Sequence, residues 1–495
     1  MIVGTVLLQS CGGVGGPASP STSSGSSAPT QAFLALLTPE QKASKTIGPV
    51  ACAAANCHGG PTTSKHVAGH LTSLTASGDT GQYDTWKNTV HASKGVTCES
   101  CHGPGGAHQA MPTNTDGTPH AILTFPLIAS ATVCGQCHGP LHDDWAGSKH
   151  AQVISTPVTE AASAEQSSQC FVCHGGLVRA QYLENGIPPE QMTLAQITTV
   201  GLNTWVPGTT SNPAGSPGPI PNTATCSTCH NPHAKMGNVS SATGKDVQIY
   251  HSEALTDSSG IVAGTTVQQY SRINQVCAQC HNGRATDGSD AALLKSTSRS
   301  SAHHSNQFNS LLGVGGNETP GGPPQRSGTH ALAPGQCANC HMPASRHTYT
   351  VSYEGCAPCH TVTDAAARAS ALQTEIVDDL TALNTEMSNW ATTTFGAADG
   401  WDFSSNQSPN LNNQAKIPLA ILRARHNYYY EVISGDYGVH NPAYTRYLMQ
   451  WAETNLQTLG LPKANMDEIK KMPMSTKLSM LKAARQRTAK ANSPY

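Results

Sequence analysis

Seven stretches of this chain read Cys-x-x-Cys-His: Cys98, Cys101 and His102; Cys134, Cys137 and His138; Cys170, Cys173 and His174; Cys226, Cys229 and His230; Cys277, Cys280 and His281; Cys337, Cys340 and His341; Cys356, Cys359 and His360. An eighth, made of Cys52, Cys57 and His58, holds four residues between its thiols instead of two. The chemistry that needs this order is covalent attachment of haem c. Two thiols form thioethers with the porphyrin vinyl groups, and the adjacent His turns under the ring to bind iron. With 17 Cys and 23 His in 495 residues, chance placement gives only about 0.03 such motifs. A zinc site would pair two cysteine couples or a separated His pair, and a dithiol redox motif does not explain a His after every couple. Numbered one to eight along the chain, the motifs predict eight covalently attached haems c. At site one, a disulfide through Cys52 stays open as the alternative.

A haem iron with two imidazoles is coordinatively saturated and suited to moving electrons, whereas an open position can bind substrate. Fifteen histidines lie outside the motifs, enough for eight distal positions. The candidates are His91, His108, His150, His233, His304, His330, His347 and His440. His91 follows Trp86 at the spacing by which His150 follows Trp145; His108 and His233 follow their own motifs; His330 precedes Cys337; His347 lies between the last two motifs. His66, His70, His251, His303 and His426 are reserves, while His120 and His142 read as solvated or propionate-bonded. Met342, next to His341, cannot swing to the opposite face of the same ring and reads as packing against it.

The elements that hold these residues follow from composition. Only 37% of residues are hydrophobic and 5% aromatic, thin for so long a chain, so porphyrin faces must complete the core. The expected fold is mainly α with much irregular loop: a haem-packed core followed by a C-terminal helical bundle. Residues 1–11 read as a signal or lipoprotein-like segment, 12–30 as a flexible Gly/Ser/Pro/Thr linker, 31–362 as the octahaem-binding domain and 363–495 as the C-terminal helical domain. Short helices are expected at the motifs, and the Gly/Pro-rich stretches Val206 to Pro221 and Gly313 to Gly328 read as surface loops. Past His360, Leu372, Ile376, Leu380, Leu383, Met387 and Trp390 recur every three or four residues, predicting one long amphipathic helix. A second is predicted from Pro418 to Ser434, stopped at Gly435. A third, capped by Asn441, starts at Pro442 and ends before Gly460, and a basic helix follows from Lys470 to Lys490.

Cys11, the cysteine outside all motifs, follows Leu8, Gln9 and Ser10 after the apolar run Ile2 to Leu8, which resembles a bacterial lipoprotein signal. The other reading is a plain secretory signal in which Cys11 is incidental. Either way export is expected, because c-type haem is attached outside the cytoplasmic membrane. No other stretch reaches the ~18 apolar residues of a membrane span. A formal net charge of -2, made more negative by the propionates, argues against a nucleic-acid partner.

The run Arg425, His426, Asn427, Tyr428, Tyr429, Tyr430, then Asp436, Gly438, Val439, His440, Asn441 and Pro442, resembles the C-terminal helical segment of the multihaem superfamily of hydroxylamine oxidoreductase and cytochrome c nitrite reductases. Cys98 to His108, Cys226 to His233 and Trp145 to His150 are similar to motifs of that superfamily. The resemblance implies an octahaem cytochrome and a distal-ligand role for His150 and His440. Two departures stand against carrying over enzyme activity: all eight motifs end in His where nitrite reductases commonly use Lys, and the tyrosine triplet reads as packing rather than a crosslink to haem.

The sequence thus points to an exported octahaem cytochrome, outer-membrane lipoprotein, periplasmic or cell-surface. It would pass electrons along bis-histidine haems to redox partner proteins or extracellular acceptors, with membrane contact only through a lipid on Cys11. Two other readings stay open: an oxidoreductase acting on small nitrogen or sulfur oxyspecies such as nitrite or hydroxylamine at a five-coordinate haem, and a subunit of a cytochrome filament or other oligomer.

Overall fold

The computed structural model describes residues 30–37, 39–53, 58, 82–110, 131–151, 224–236, 246–249, 275–278, 280–283, 287–295, 305–326, 329–333, 336–357, 359–402 and 416–492. Among these residues the chain is mainly α-helical with long irregular connections, and its β pairing is an isolated bridge between His230 and Ile249. No described helix is long and apolar enough to cross a membrane.

The first part of the chain is built from helices of one or two turns, several wound on attachment motifs: Cys98–His102, Cys226–Cys229 and Gln336–His341. Such helices are too short to be stable alone and depend on caps and packing. Thr97 with Ser100, and Thr225 with Thr228, form reciprocal capping boxes at two of them. The Cys98–His102 helix ends at Gly103, whose φ of 78° suits glycine. A Cβ there would also meet the Leu37 side chain at 2.6 Å.

The C-terminal part is a bundle. The predicted long helix is Val362–Phe395, capped by Thr361 and ended by Gly396 in the left-handed region. The predicted second and third helices are Leu419–Ser434, stopped at Gly435, and Pro442–Gln457, with Asn441 accepting from Tyr444 N–H. The basic tail forms Met466–Lys471 and Met474–Asn492, split around Pro473. Leu372, Ile376, Leu380, Leu383 and Met387 bury one face of the long helix against Ile421, Tyr428, Leu448 and Leu481. Tyr428, Tyr429 and Tyr430 are fully buried in this core, Tyr428 edge-on to Trp401 with ring centres 5.4 Å apart.

One expected surface loop is such only in its second half. Residues 313–319 pack into the bundle, with Val314 and Asn317 buried, while 320–326 run mostly along the surface. The backbone polar groups of the packed half find partners in the bundle, as burial requires. Val314 O accepts from Tyr430 Oη at 2.7 Å, Asn317 N–H donates to Asn427 Oδ1 at 2.7 Å, and Thr319 N–H donates to Tyr447 Oη at 2.7 Å. Gly/Pro content marked the irregular backbone correctly but said nothing of these side-chain partners. The stretch Val206 to Pro221 lies outside the described residues.

Candidate haem-attachment sites

The attachment motifs close by a backbone hydrogen bond from the His to the first Cys. His138, His230, His281 and His360 donate to the carbonyls of Cys134, Cys226, Cys277 and Cys356 at 2.9 to 3.0 Å. Inside the turn the second cysteine folds back on the first. The N–H groups of Cys137, Cys280 and Cys359 donate to the carbonyls of Cys134, Cys277 and Cys356 at 3.1 to 3.2 Å. This turn carries two cysteines on one side and swings the imidazole beneath them. Cys280 is half-buried, whereas Cys137 and Cys359 are exposed, and none of the three is in a disulfide, as attachment to haem requires. At site one the closing bond survives the longer spacing, His58 N–H donating to Cys52 O at 3.2 Å, and Cys52 is a free thiol. At site four, Cys170, Cys173 and His174 all lie outside the described residues, as does Cys57 of site one. Attachment at Cys170 and Cys173 and iron ligation by His174 therefore rest on the motif itself.

Five of the eight distal candidates stand opposite a motif histidine. Ring centres are 5.9 Å apart for His102 and His233, 6.1 Å for His138 and His91, 6.2 Å for His230 and His347, 6.0 Å for His281 and His150, and 6.2 Å for His341 and His440. Two imidazoles sharing one iron through Nε2 place their ring centres about 6 Å apart, from metal–nitrogen bonds of about 2.0 Å plus half a ring on each side. The residues present therefore fit haem c. The ring planes fall into two classes: angles of 13°, 25° and 33° at sites two, seven and five, and 71° and 69° at sites three and six.

The Nδ1 atoms are anchored, which orients the rings and leaves Nε2 facing inward. His230 bonds Val247 O at 2.7 Å, His347 bonds Ser345 O at 2.9 Å, His341 reaches Tyr349 O at 3.4 Å and His281 reaches Gln307 Oε1 at 3.4 Å. Burial, reinforced by the facing imidazole, holds His102 down at about 3 and His150 at about 4, so both are neutral at ordinary pH. His440 differs. Burial alone would lower it, but its Nδ1 pairs with the Asp436 carboxylate and the net effect is upward.

The scaffold that brings these residues together is polar. The buried Glu99 carboxylate accepts from the N–H groups of Ile47, Gly48 and Gly105 at 2.8 to 3.1 Å, pinning the N-terminal segment to site two. Trp145 Nε1 donates to Ala224 O at 2.7 Å, and Arg346 forms a two-pronged ion pair with Asp144, whose carboxyl it holds below the usual range. Together these set the segments carrying His150 and His347 beside sites five and six.

Neighbouring sites approach one another through their cysteines. Thiol hydrogen bonds link Cys52 to Cys98, Cys134 to Cys226, Cys277 to Cys337 and Cys340 to Cys356, while Cys101 lies beside Cys137 and Cys229 beside Cys277. The described sites thus form one row in the order one, two, three, five, six, seven, eight. The imidazoles repeat it: His58 neighbours His102, His233 neighbours His91, His347 neighbours His138 and His150, and His440 neighbours His281.

Of the remaining candidates, His330 is exposed with its Nδ1 on Val439 O at 2.8 Å, while His304 and the side chain of His108 lie outside the described residues. The reserve His426 is buried in the bundle with Nε2 on Gly315 O at 2.9 Å, so its ligating nitrogen is already used; the other reserves, His66, His70, His251 and His303, lie outside the described residues, as does His120. Sequence reasoning missed Asp436, Glu99, the Asp144–Arg346 pair and Tyr349, whose ring centre lies 4.2 Å from that of His150 and 6.0 Å from that of His347. Only Asp436 left a signal, a carboxylate four residues before His440.

A family model described as cytochrome c552 matches residues 80–151, the stretch that holds His91, sites two and three, and His150. The undecahaem cytochrome from the S-layer of Carboxydothermus ferrireducens is similar at 18% identity and a TM-score of 0.40, covering 74% of this chain and 51% of its own. The chain thus spans about half the length of that protein. The outer cell wall cytochrome OcwA is similar at 15% identity and a TM-score of 0.38, covering 82% of this chain and 76% of its own. No curated protein matches.

Proposed function

We propose that this chain is an exported electron-transfer protein that carries haem c at eight sites, at least five of them closed by two histidines. The observation that carries the reading is the set of five facing imidazole pairs with ring centres 5.9 to 6.2 Å apart. When bound, haem c supplies one-electron redox chemistry at iron. The chain's residues fix what that chemistry is used for. The facing imidazole pairs would hold the iron from both sides, and the neighbouring cysteines of successive motifs would bring the attachment points close enough to pass charge from one to the next.

Redox proteins or extracellular acceptors are the partners that suit such a row, and a lipid on Cys11 would hold it at a membrane surface. The kinship with the hydroxylamine oxidoreductase and nitrite reductase superfamily rests on residues 425–442 and the segments at sites two, three and five. An oxidoreductase role would need an open iron position, and the five paired sites leave that to sites one, four or eight.

The oxidised holoprotein tests the reading by electron paramagnetic resonance. Imidazole planes near parallel split the iron d orbitals strongly, whereas crossed planes leave two nearly degenerate. Two low-spin signal classes are therefore expected: a rhombic one from sites two, five and seven, and a highly anisotropic one from sites three and six. Predominantly high-spin iron would sink the proposal.

A further inference from the structure

We infer that Asp436 sets the reduction potential of site seven, holding it below sites five and six; this rests on the reading of His440 as the distal ligand there. Of the paired imidazoles whose Nδ1 partners are given above, His440 is the one that meets a buried carboxylate, Asp436 Oδ2. Asp436 has a side-chain exposure of 7%, and Ser434 Oγ donates to its other oxygen at 2.6 Å. The anchored imidazoles at sites five and six, and His341 at site seven itself, hold neutral backbone or amide oxygens at Nδ1.

The difference matters chemically. A carbonyl oxygen only orients the ring, whereas a carboxylate draws the Nδ1 proton and pushes electron density toward Nε2, making the imidazole a stronger donor. A stronger donor favours ferric over ferrous iron. The carboxylate's own charge acts in the same direction and, being buried, is weakly screened. His360 at site eight also has a carboxylate, Asp364, but at 3.5 Å, with both side chains substantially exposed, so solvent weakens its effect. In the row, site seven stands between six and eight. Asp436 therefore places a step in potential between sites six and seven.

Asp436→Asn keeps the size of the side chain and leaves a neutral oxygen for Nδ1. Spectroelectrochemical titration of the holoprotein should show one haem's share of the absorbance change moving to a more positive potential, with the rest unmoved and all low-spin signals retained. Asp436→Glu should stay nearer the wild type, and Asp364→Asn should shift its component less. The inference fails if Asp436→Asn moves nothing, if it moves every component together, or if Asp364→Asn shifts as far.

Should Asp436→Asn not fold, Asp436→Ser, smaller and also uncharged, takes its place: one haem's share of the absorbance change should again move to a more positive potential, and an unmoved titration overturns the inference. His440→Ala separates the two levels: if it opens one haem while Asp436→Asn is silent, only this inference falls; if it opens none, the assignment of His440 falls.

Discussion

At the scale of single residues, most of the chemistry is decided by where one imidazole nitrogen points. His91, His150, His233, His347 and His440 share no local motif, yet each stands across from a motif histidine at the same separation. None of the five serves the nearest motif before it: His91 faces site three, His150 site six, His233 site two, His347 site five and His440 site seven. His440 depends most on tertiary packing, since it sits on the turn between Leu419–Ser434 and Pro442–Gln457. His440→Ala should convert one haem to a high-spin form that binds carbon monoxide when reduced. An unchanged low-spin spectrum would show that His440 is not a ligand.

Among the secondary-structure elements, the bundle holds that turn in place, and two acidic residues on the long helix bear on its stability. Lys477 on the last helix pairs with Asp378 on Val362–Phe395, their side chains 3% and 8% exposed. Removing one partner strands a buried charge, so Lys477→Ala should cost about 3–5 kcal/mol in denaturant unfolding, whereas replacing both by apolar residues should cost far less. Asp379 is pushed up to about 6, by burial first and then by Glu375, Glu453 and Asp378. An unfolded Asp titrates near pH 4, so between about pH 4 and 6 the native state holds a proton that the unfolded state has lost. Stability from this group therefore rises as pH falls through 6 and levels off near 4. Asp379→Asn should stabilise the protein at pH 7 and flatten that dependence, and equal pH profiles for the two proteins would refute the assignment.

For the whole molecule, the row of attachment sites is the organising feature, and it departs from chain order only by omitting site four, which lies outside the described residues. Eight haems are expected, because site one closes its turn on Cys52 as the tight motifs do. Intact mass with pyridine haemochrome should give eight haems per chain; seven would mean that the stretched site is empty. The low apolar content of the sequence fits this arrangement. Outside the bundle, the described apolar clusters are small, such as Phe33, Leu37 and Val133, and porphyrin faces would have to complete them.

The cysteine spacing alone pointed to covalent haem c, to the histidines proposed as its proximal ligands and to the short helices that carry several motifs, because covalent attachment is a local requirement that five consecutive residues satisfy. The long helices were legible too, since a period of three to four and caps such as Asn441 and Gly435 are local signals. Only the tertiary structure decided which candidate distal histidine faces which site, that residues 313–319 pack into the bundle, and that the reserve His426 belongs to the core. The facing imidazole pairs join residues as far apart as His341 and His440, and no local pattern encodes which two segments will meet. That choice is made by burial and by long-range polar contacts such as Glu99 with Ile47 and Arg346 with Asp144, whose partners lie far along the chain.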